Sequence, residues 1–305
     1  MSKKKVGLTV GGLKTVMDDF EIIKFVKSIG ADAIDFNLFT KEYDYRNPDS
    51  IYSKSDDEIA DYFTRVKKCA DENGIEISQT HGRIDGFTND TEQNDADDKN
   101  ARIDCFVTSL LGAPVCVMHG VTSFKMGIDA DPKLMRDLNY EMFTRFLVHA
   151  KKYNVQIATE TFGDALRWDA CDFFGNIDEF IKTYNRIAAV DDNKKYFSVC
   201  VDTGHSNKAY RFENNPSPAD VIRMLGEKIS VLHLHDNNKI KDQHKIPMTG
   251  DIDWNDVFDA LDEIGFDGVY NMELFLQHFG DNFRKETAEF AVKVMRNMLD
   301  TRYGK

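Results

Sequence analysis

Long apolar runs are absent from this sequence. No segment approaches the ~18 consecutive apolar residues of a membrane-spanning helix. The apolar stretch near the first residue, VGLTVGGL, is also too short for the hydrophobic region of a secretory signal peptide. We therefore expect a protein that contacts no membrane and that resides in the cytoplasm.

Cysteine is scarce and shows no pairing pattern. The five cysteines include no Cys-x-x-Cys spacing, and their odd number excludes a complete set of disulfide pairs. Cys116 and Cys200 lie inside apolar runs, where a free thiol packs as a small hydrophobe. This usage is typical of a reducing compartment.

Positive charge is in deficit. Lys and Arg number 39 against 52 Asp and Glu, which gives a formal net charge of −13. Proteins that track DNA use Lys and Arg to neutralise phosphates, so this balance argues against a nucleic-acid partner. A homo-oligomer is compatible with the composition.

No Pro-, Gly- or Ser-rich linker and no low-complexity tract divides the chain. The 305 residues, with 42% hydrophobic content, are enough for a large core. Because α/β barrels of this length commonly form one domain, we predict a single domain over residues 1–305.

Eight short runs rich in Val and Ile recur along the chain, and amphipathic helical patterns lie between them. Their nearly continuous apolar character is typical of strands covered on both faces of a parallel sheet. An open doubly wound sheet normally carries a GxGxxG fingerprint after its first strand, whereas this turn reads VGGLKT. The sequence therefore predicts an α/β fold, a (β/α)8 TIM barrel. The predicted strands are Val6–Val10, Ala33–Asn37, Ile75–Thr80, Val115–His119, Val155–Glu160, Phe197–Asp202, Ile229–His235 and Val269–Leu274.

Helix boundaries are marked by capping residues. Asp131 and Ser217 each stand directly before a proline, a pair typical of an N-cap followed by the first helical position. Asp253 is expected to cap a further helix that Gly265 ends. The last helix, from about residue 282 to residue 299, is expected to pack on the first strand.

Six of the eight predicted strands end in a residue type that can bind a metal ion. The steps from one to the next are 38, 41, 42, 31 and 40 residues, which suits one such side chain per βα unit. A lone His or carboxylate is more often structural, as a core histidine or a helix cap. Six such residues at the carboxyl ends of different barrel strands would instead point into the same open end of the barrel, its mouth. These residues are His81, His119, Glu160, Asp202 with His205 three positions later, His233 and Glu273.

Four short segments carry a family resemblance, namely VDTGH at 201–205, HLHD at 233–236, DQH at 242–244 and ME at 272–273. In this order and spacing they resemble the xylose-isomerase-like TIM-barrel superfamily, over nearly the whole chain. That group includes sugar isomerases, ketose 3-epimerases, relatives of inosose dehydratase and isomerase, and endonuclease-IV-like repair enzymes. The resemblance implies a substrate or second-metal contact at His205 and a metal site at four residues. The four are Glu160, Asp202, His233 and Glu273.

The same resemblance leaves two other functions open. The endonuclease branch binds three zinc ions, and residues matching its additional ligands are present, so a multi-zinc phosphodiesterase acting on abasic DNA is one alternative. A non-catalytic sugar-binding barrel is the other. The residues that match the additional zinc ligands of the endonuclease branch are His81, His119, Asp242 and His244.

In the HLHD strand, His233 and His235 share one face, so both point inward or both point outward.

The expected chemistry follows from the ligand types. Three carboxylates and one imidazole favour one divalent ion, Mn²⁺ or Mg²⁺, with Co²⁺ also compatible and Zn²⁺ expected if several metals bind. Such an ion would stabilise the enediolate of a small sugar, sugar phosphate or related hydroxy-ketone, and the resemblance implies Glu160 and Glu273 as the acid/base pair. Lys208, Lys241 and Lys245, near the predicted mouth, are candidate contacts for a phosphate or carboxylate, although lysines are also common as plain surface residues. The residues expected to bind this carbohydrate are His81, His119, His205, Asp242 and His244.

Overall fold

The computed structural model describes residues 3–166 and 168–304. Within them, eight strands form one sheet in which every paired neighbour is parallel. The strands are β1 (Val6–Thr9), β2 (Ala33–Asn37), β3 (Glu76–His81), β4 (Val115–Met118), β5 (Gln156–Glu160), β6 (Phe197–Asp202), β7 (Ile229–His233) and β8 (Tyr270–Met272). All eight predicted strands are therefore present.

The sheet order is β7-β6-β5-β4-β3-β2-β1-β8, so the two ends of the sheet are the last two strands of the chain. Leu234 forms a parallel bridge to Met272 and its N–H donates to the Asn271 carbonyl at 2.8 Å. These contacts bring the two ends together. The predicted (β/α)8 TIM barrel is confirmed. β7 stops at His233, two residues earlier than predicted, because β6 ends at Asp202, the partner of His233.

Ten α-helices lie in the described residues, and at least one follows each strand. They are α1 (Asp19–Ser28), α2 (Asp56–Glu72), α3 (Thr91–Leu110), α4 (Ser123–Met126), α5 (Pro132–Tyr153), α6 (Ile177–Ala188), α7 (Thr203–Ala209), α8 (Pro218–Leu225), α9 (Trp254–Glu263) and α10 (Arg284–Tyr303). The long helices bury their apolar faces against the sheet. As predicted, α10 packs on β1.

The predicted helix caps are confirmed. The Asp131 carboxylate accepts from the N–H of Lys133, and the Ser217 hydroxyl accepts from the N–H of Asp220. The Asp253 carboxylate caps α9 by accepting from the N–H groups of Asn255 and Asp256. Gly265 follows the end of that helix at φ +69°, in the left-handed region that favours glycine.

The barrel interior has an apolar half and a polar half. Residues two apart on a strand share a face, so the positions two before the strand-end ligands lie directly beneath them. On β4 to β7 these positions are apolar, and they form a separate cluster that also contains Val115, namely Val115, Val117, Ala158, Cys200 and Val231. On β3 and β8 they are the polar residues Gln79 and Asn271, which meet at the Asp35 carboxylate of β2 together with Thr9 of β1. Asp35 Oδ2 accepts hydrogen bonds from Thr9, Gln79 and Asn271 at 3.0, 3.2 and 3.3 Å.

The remaining expectations concern location. Among the described helices, none is long and apolar enough to cross a membrane. All five cysteines are unpaired within the part of the chain that the structure describes. Cytoplasmic residence and the single domain over residues 1–305 stay predictions.

Candidate active site

The strand-end residues converge at the carboxyl end of the barrel. One oxygen or nitrogen from each of four side chains lies within 4.8 Å of the other three. We call this group the first ligand set, and three of its members are fully buried while the side chain of Glu273 is 14% exposed. Its members are Glu160, Asp202, His233 and Glu273.

Two further histidines border the first ligand set. His81 Nε2 lies 3.6 Å from Glu160 Oε2 and 3.6 Å from Glu273 Oε1. His119 Nε2 lies 3.4 Å from Glu160 Oε2. His81, Glu160 and His233 form a second ligand set of the same compactness, so Glu160 and His233 belong to both sets.

A third ligand set lies beside these two, and its ligand atoms are also within 4.8 Å of one another. His205 connects it to the first, because its Nδ1 is 3.2 Å from Glu160 Oε1 and its Nε2 is 3.6 Å from Asp242 Oδ2. Every residue predicted to bind metal or substrate is therefore placed at one mouth. The members of the third set are His205, His235, Asp242 and His244.

Glu160 is at the centre of the site and is surrounded by imidazole nitrogens. Both of its carboxylate oxygens are buried, and the nitrogens nearest to them, Nδ1 of His233 at 3.0 Å and Nδ1 of His205 at 3.2 Å, are not aligned for well-formed hydrogen bonds. Burial alone would raise the pKa of Glu160, but the imidazoles of His233 and His119 hold it well below its usual range. The carboxylate is therefore ionised and is directed towards the ligand sets.

His233 is oriented by a residue beneath it. Its Nε2 lies 2.9 Å from Asp35 Oδ2, and its Nδ1 lies 3.0 Å from Glu160 Oε2. The buried Asp35 carboxylate selects the proton on Nε2, which leaves Nδ1 as the coordinating nitrogen. Burial lowers the pKa of this imidazole, but the carboxylates of Glu273 and Glu160 raise it well above its usual value, so a metal ion at Nδ1 would displace a proton.

His235 points into the barrel interior, as His233 does, so the inward orientation is the correct one of the two that the sequence allowed. Its Nε2 lies 2.9 Å from Asp202 Oδ1, and its ring stacks on His244 with 3.8 Å between ring centroids. Gly204 makes room for the ring, because a Cβ there would lie 1.9 Å from His235 Cε1. His235 therefore requires glycine at this position of the VDTGH segment.

The loop after β7 is held by Asp236. Its carboxylate accepts from the indole N–H of Trp254 at 2.9 Å and from the N–H of Ile252 at 3.2 Å. Its backbone pairs with Lys245 in an antiparallel bridge. The returning chain thereby carries Asp242 and His244 into the third ligand set.

The comparison with known families decides the assignment. Residues 23–298 match the family described as "Xylose isomerase-like TIM barrel". The chain belongs to this family. The predicted superfamily is thereby confirmed.

Individual relatives within the xylose isomerase-like family are distant. An uncharacterized protein, y4fM of Sinorhizobium fredii, is 27% identical over 173 residues, which cover 56% of this chain and 50% of that protein. The chain thus matches about half the length of this curated relative. The crystal structure of IolI protein with a bound zinc atom has a TM-score of 0.74 at 17% identity, covering 99% of this chain and 100% of that one. D-psicose 3-epimerase from Clostridium cellulolyticum H10, solved with D-tagatose, has a TM-score of 0.71 at 17% identity, covering 97% and 99%.

Sequence reasoning missed Asp35 and misjudged Lys208. Asp35 stands inside the apolar run AIDFN, and an acid in a buried strand is costly unless it is paired, which was the available signal. Lys208 is not free to meet a substrate anion. Its side chain is 2% exposed, and its Nζ lies 2.8 Å from Asp164 Oδ1.

Proposed function

We propose that this protein is a divalent-metal-dependent isomerase or epimerase of a small sugar or related hydroxy-ketone. The observation that carries the proposal is the position of Glu160 and Glu273. They come from β5 and β8, yet their Oε2 atoms lie 3.0 and 3.5 Å from the same nitrogen, His233 Nδ1. Two carboxylates of separate strands therefore meet in one ligand set, and the family resemblance implies that they act as an acid/base pair on two faces of a bound substrate. The family membership and the structural likeness to a D-psicose 3-epimerase add support.

The residues present suit a divalent metal ion. Both oxygens of Glu160 and the Nδ1 of His233 are buried without hydrogen-bond partners in the described residues. A buried polar atom in this state costs free energy, and a cation at the first ligand set would satisfy all three atoms together. The oxygen-rich set favours Mn²⁺ or Mg²⁺, with Co²⁺ also compatible, and the histidines of the other two sets favour Zn²⁺ if more than one ion binds.

A bound ion would polarise the substrate carbonyl and offset the negative charge of the enediolate. The protein residues supply the proton transfers. Glu160, ionised because its pKa is held low, accepts the carbon-bound proton, and Glu273 returns a proton at the other face or the neighbouring carbon.

His205 would bind a substrate oxygen. Burial lowers its pKa, but the carboxylates of Asp202 and Asp242 raise it well above its usual value, so the ring is protonated and donates. His81 and His119, which border Glu160, would line the same space.

Solvent exchange tests the proposal directly. In heavy water with added Mn²⁺, the enzyme should wash deuterium into the carbon beside the carbonyl of a ketose, detected by NMR over a panel of sugars, sugar phosphates and inososes. Glu160→Gln and Glu273→Gln should each slow exchange by about 10²-fold or more, because they keep the shape but remove the base. Glu286→Gln on the exposed face of α10 is the matched control. Turnover with no exchange would indicate hydride transfer and contradict the enediolate route.

A multi-zinc phosphodiesterase is the second candidate function. The observation in its favour is the presence of three compact ligand sets, of which the first and second share Glu160 and His233. About three zinc ions per chain would support it, whereas one Mn²⁺ or Mg²⁺ would support the isomerase. The net charge of −13 favours a small carbohydrate over DNA as the partner.

A further inference from the structure

A cavity of about 170 Å³ lies between the loops that follow β2 and β3. Both loops leave the carboxyl ends of their strands, so the cavity is on the same end of the barrel as the ligand sets. We call it the side pocket. The residues that matter for its chemistry are Phe39, Lys41, Arg46, Arg83, Asp85 and Asp97.

Phe39 separates the side pocket from the ligand sets. The ring lines the pocket, and its centroid lies 4.8 Å from that of His81. His81 in turn is 3.6 Å from both proposed acid/base residues. A substrate held at the ligand sets would therefore reach the side pocket by extending past one aromatic ring, an apolar surface against which sugar C–H groups can pack.

Asp97, which lines the pocket, carries an acceptor that no described residue uses. The residue is 3% exposed, and its Oδ1 accepts from Gln93 Nε2 at 2.9 Å. Its Oδ2 is buried and has no hydrogen-bond partner in the described residues. Such an atom is costly unless a donor meets it, and a ligand hydroxyl is a donor of the right kind.

The charges of the pocket favour a neutral ligand. Three cationic residues, Lys41, Arg46 and Arg83, face three acidic ones, Asp44, Asp85 and Asp97. The two guanidinium groups are already engaged, since Arg46 Nη2 lies 2.8 Å from Asp44 Oδ2 and Arg83 Nε lies 2.8 Å from Asp104 Oδ2.

A phosphate in this pocket would meet no net positive charge and would approach the buried Asp97 carboxylate. Hydroxyl groups avoid that repulsion, because they donate to Asp97 and accept from the cationic side chains. A cavity of this size holds about five or six waters, which is room for the hydroxyl-bearing part of one sugar unit.

We propose that the side pocket is a subsite for the far, hydroxyl-rich end of an unphosphorylated sugar whose reacting end lies at the first ligand set. This inference rests on the proposed function and narrows its substrate class to neutral ketoses that carry a further sugar unit.

Binding to the metal-loaded protein tests the subsite without requiring turnover. The probes are D-fructose, its four α-glucosyl derivatives linked through O3, O4, O5 or O6, and D-fructose 6-phosphate, compared by calorimetry and by saturation-transfer NMR. At least one disaccharide should bind about tenfold or more tightly than fructose, with saturation on the glucosyl protons. Asp97→Asn should remove this advantage over fructose. Asp95→Asn, on an exposed part of the same helix, is the matched control.

A blocking variant gives an independent check. Ile84 lines the pocket and is 38% exposed, so Ile84→Trp should fill the pocket without disturbing the core, and Val148→Trp on the exposed side of α5 controls for it. Ile84→Trp should also remove the disaccharide advantage. The subsite is overturned if no disaccharide exceeds fructose, if both pocket variants keep the advantage, or if fructose 6-phosphate binds more tightly than every disaccharide. A preserved disaccharide advantage without deuterium exchange would reject the proposed reaction and leave the subsite standing.

Discussion

Asp35 Oδ2 lies 2.9 Å from Nε2 of His233, on the far side of the ring from the nitrogen that faces Glu160. The carboxylate is completely buried and accepts three further hydrogen bonds from the barrel interior. An acid on β2 thus fixes the tautomer and the plane of an imidazole on β7. Such a carboxylate–histidine pair raises the basicity of the coordinating nitrogen.

The first prediction concerns this pair. Asp35→Asn should weaken metal binding by about 10- to 100-fold, because the amide no longer holds the proton on Nε2 as a carboxylate does. Calorimetric titration of the apoprotein with Mn²⁺ measures the loss, and Asp57→Asn, an exposed change on α2, is the control. Equal Mn²⁺ affinity in Asp35→Asn and the unmodified protein would show that Asp35 does not position His233.

The second prediction concerns Asp202. Asp202→Asn should remove the bound ion, because a neutral amide replaces one of the three carboxylates of the first ligand set. The amide oxygen can still accept from the N–H of His205, the cap of α7, so the fold should persist. Elemental analysis together with circular dichroism decides the matter. Full metal occupancy in a folded variant would remove Asp202 from the coordination sphere.

The third prediction concerns the pH dependence of metal binding at the third ligand set. Burial lowers the pKa of His244, but the neighbouring Asp242 carboxylate raises it to about 9. At neutral pH the apoprotein therefore carries a proton that a metal ion must displace, and Zn²⁺ affinity should rise as pH increases towards 9. Calorimetry in two buffers of different ionisation enthalpy measures the released proton. Binding without proton release at neutral pH would rule out this competition.

The fourth prediction concerns stability. Burial raises the pKa of Asp172 from 3.8 to about 7, although the N–H groups of Phe174 and Phe124 oppose the shift. In the folded protein Asp172 keeps its proton up to about pH 7, whereas in the unfolded chain it loses the proton near pH 3.8. The free energy of unfolding should therefore fall as the pH rises between these two values. Asp172 alone should lower the free energy of unfolding by at most about 1.4 kcal/mol for each pH unit.

Asp172→Asn should flatten that slope, as measured by urea unfolding at about pH 4.5, 6 and 7.5. Asp178→Asn at the start of α6 is the exposed control. If the variant and the unmodified protein lose stability in parallel over this range, another group is responsible.

The fifth prediction separates the two candidate functions. We expect no tight binding to abasic duplex DNA near physiological salt, because a chain of net charge −13 has little to offer the phosphate backbone. Fluorescence anisotropy with a labelled abasic duplex and an intact duplex gives the comparison. Nanomolar binding with cleavage at the abasic position would establish the phosphodiesterase instead.

The sequence was sufficient for the fold and for the side chains that end the strands. Val- and Ile-rich runs define the strands, and a barrel places their carboxyl ends together, so Glu160 and Glu273 meet although 113 positions separate them. The sequence was not sufficient to predict interactions that depend on how side chains from different strands and helices pack against one another. Asp35 sits inside a strand, and Lys208 turns into the protein to meet Asp164. Asp97 reaches the side pocket from a helix, where no strand-end pattern marks it.

Because Gly204 and His235 lie so close together, the residue at one of these positions restricts the residue at the other. Any side chain at position 204 would occupy the space that the imidazole fills, so the two residues cannot vary independently. A relative that carries a larger residue in place of this glycine must therefore have given up the histidine. Reading these two positions together shows, from sequence alone, whether a relative can retain the His235 member of the third ligand set.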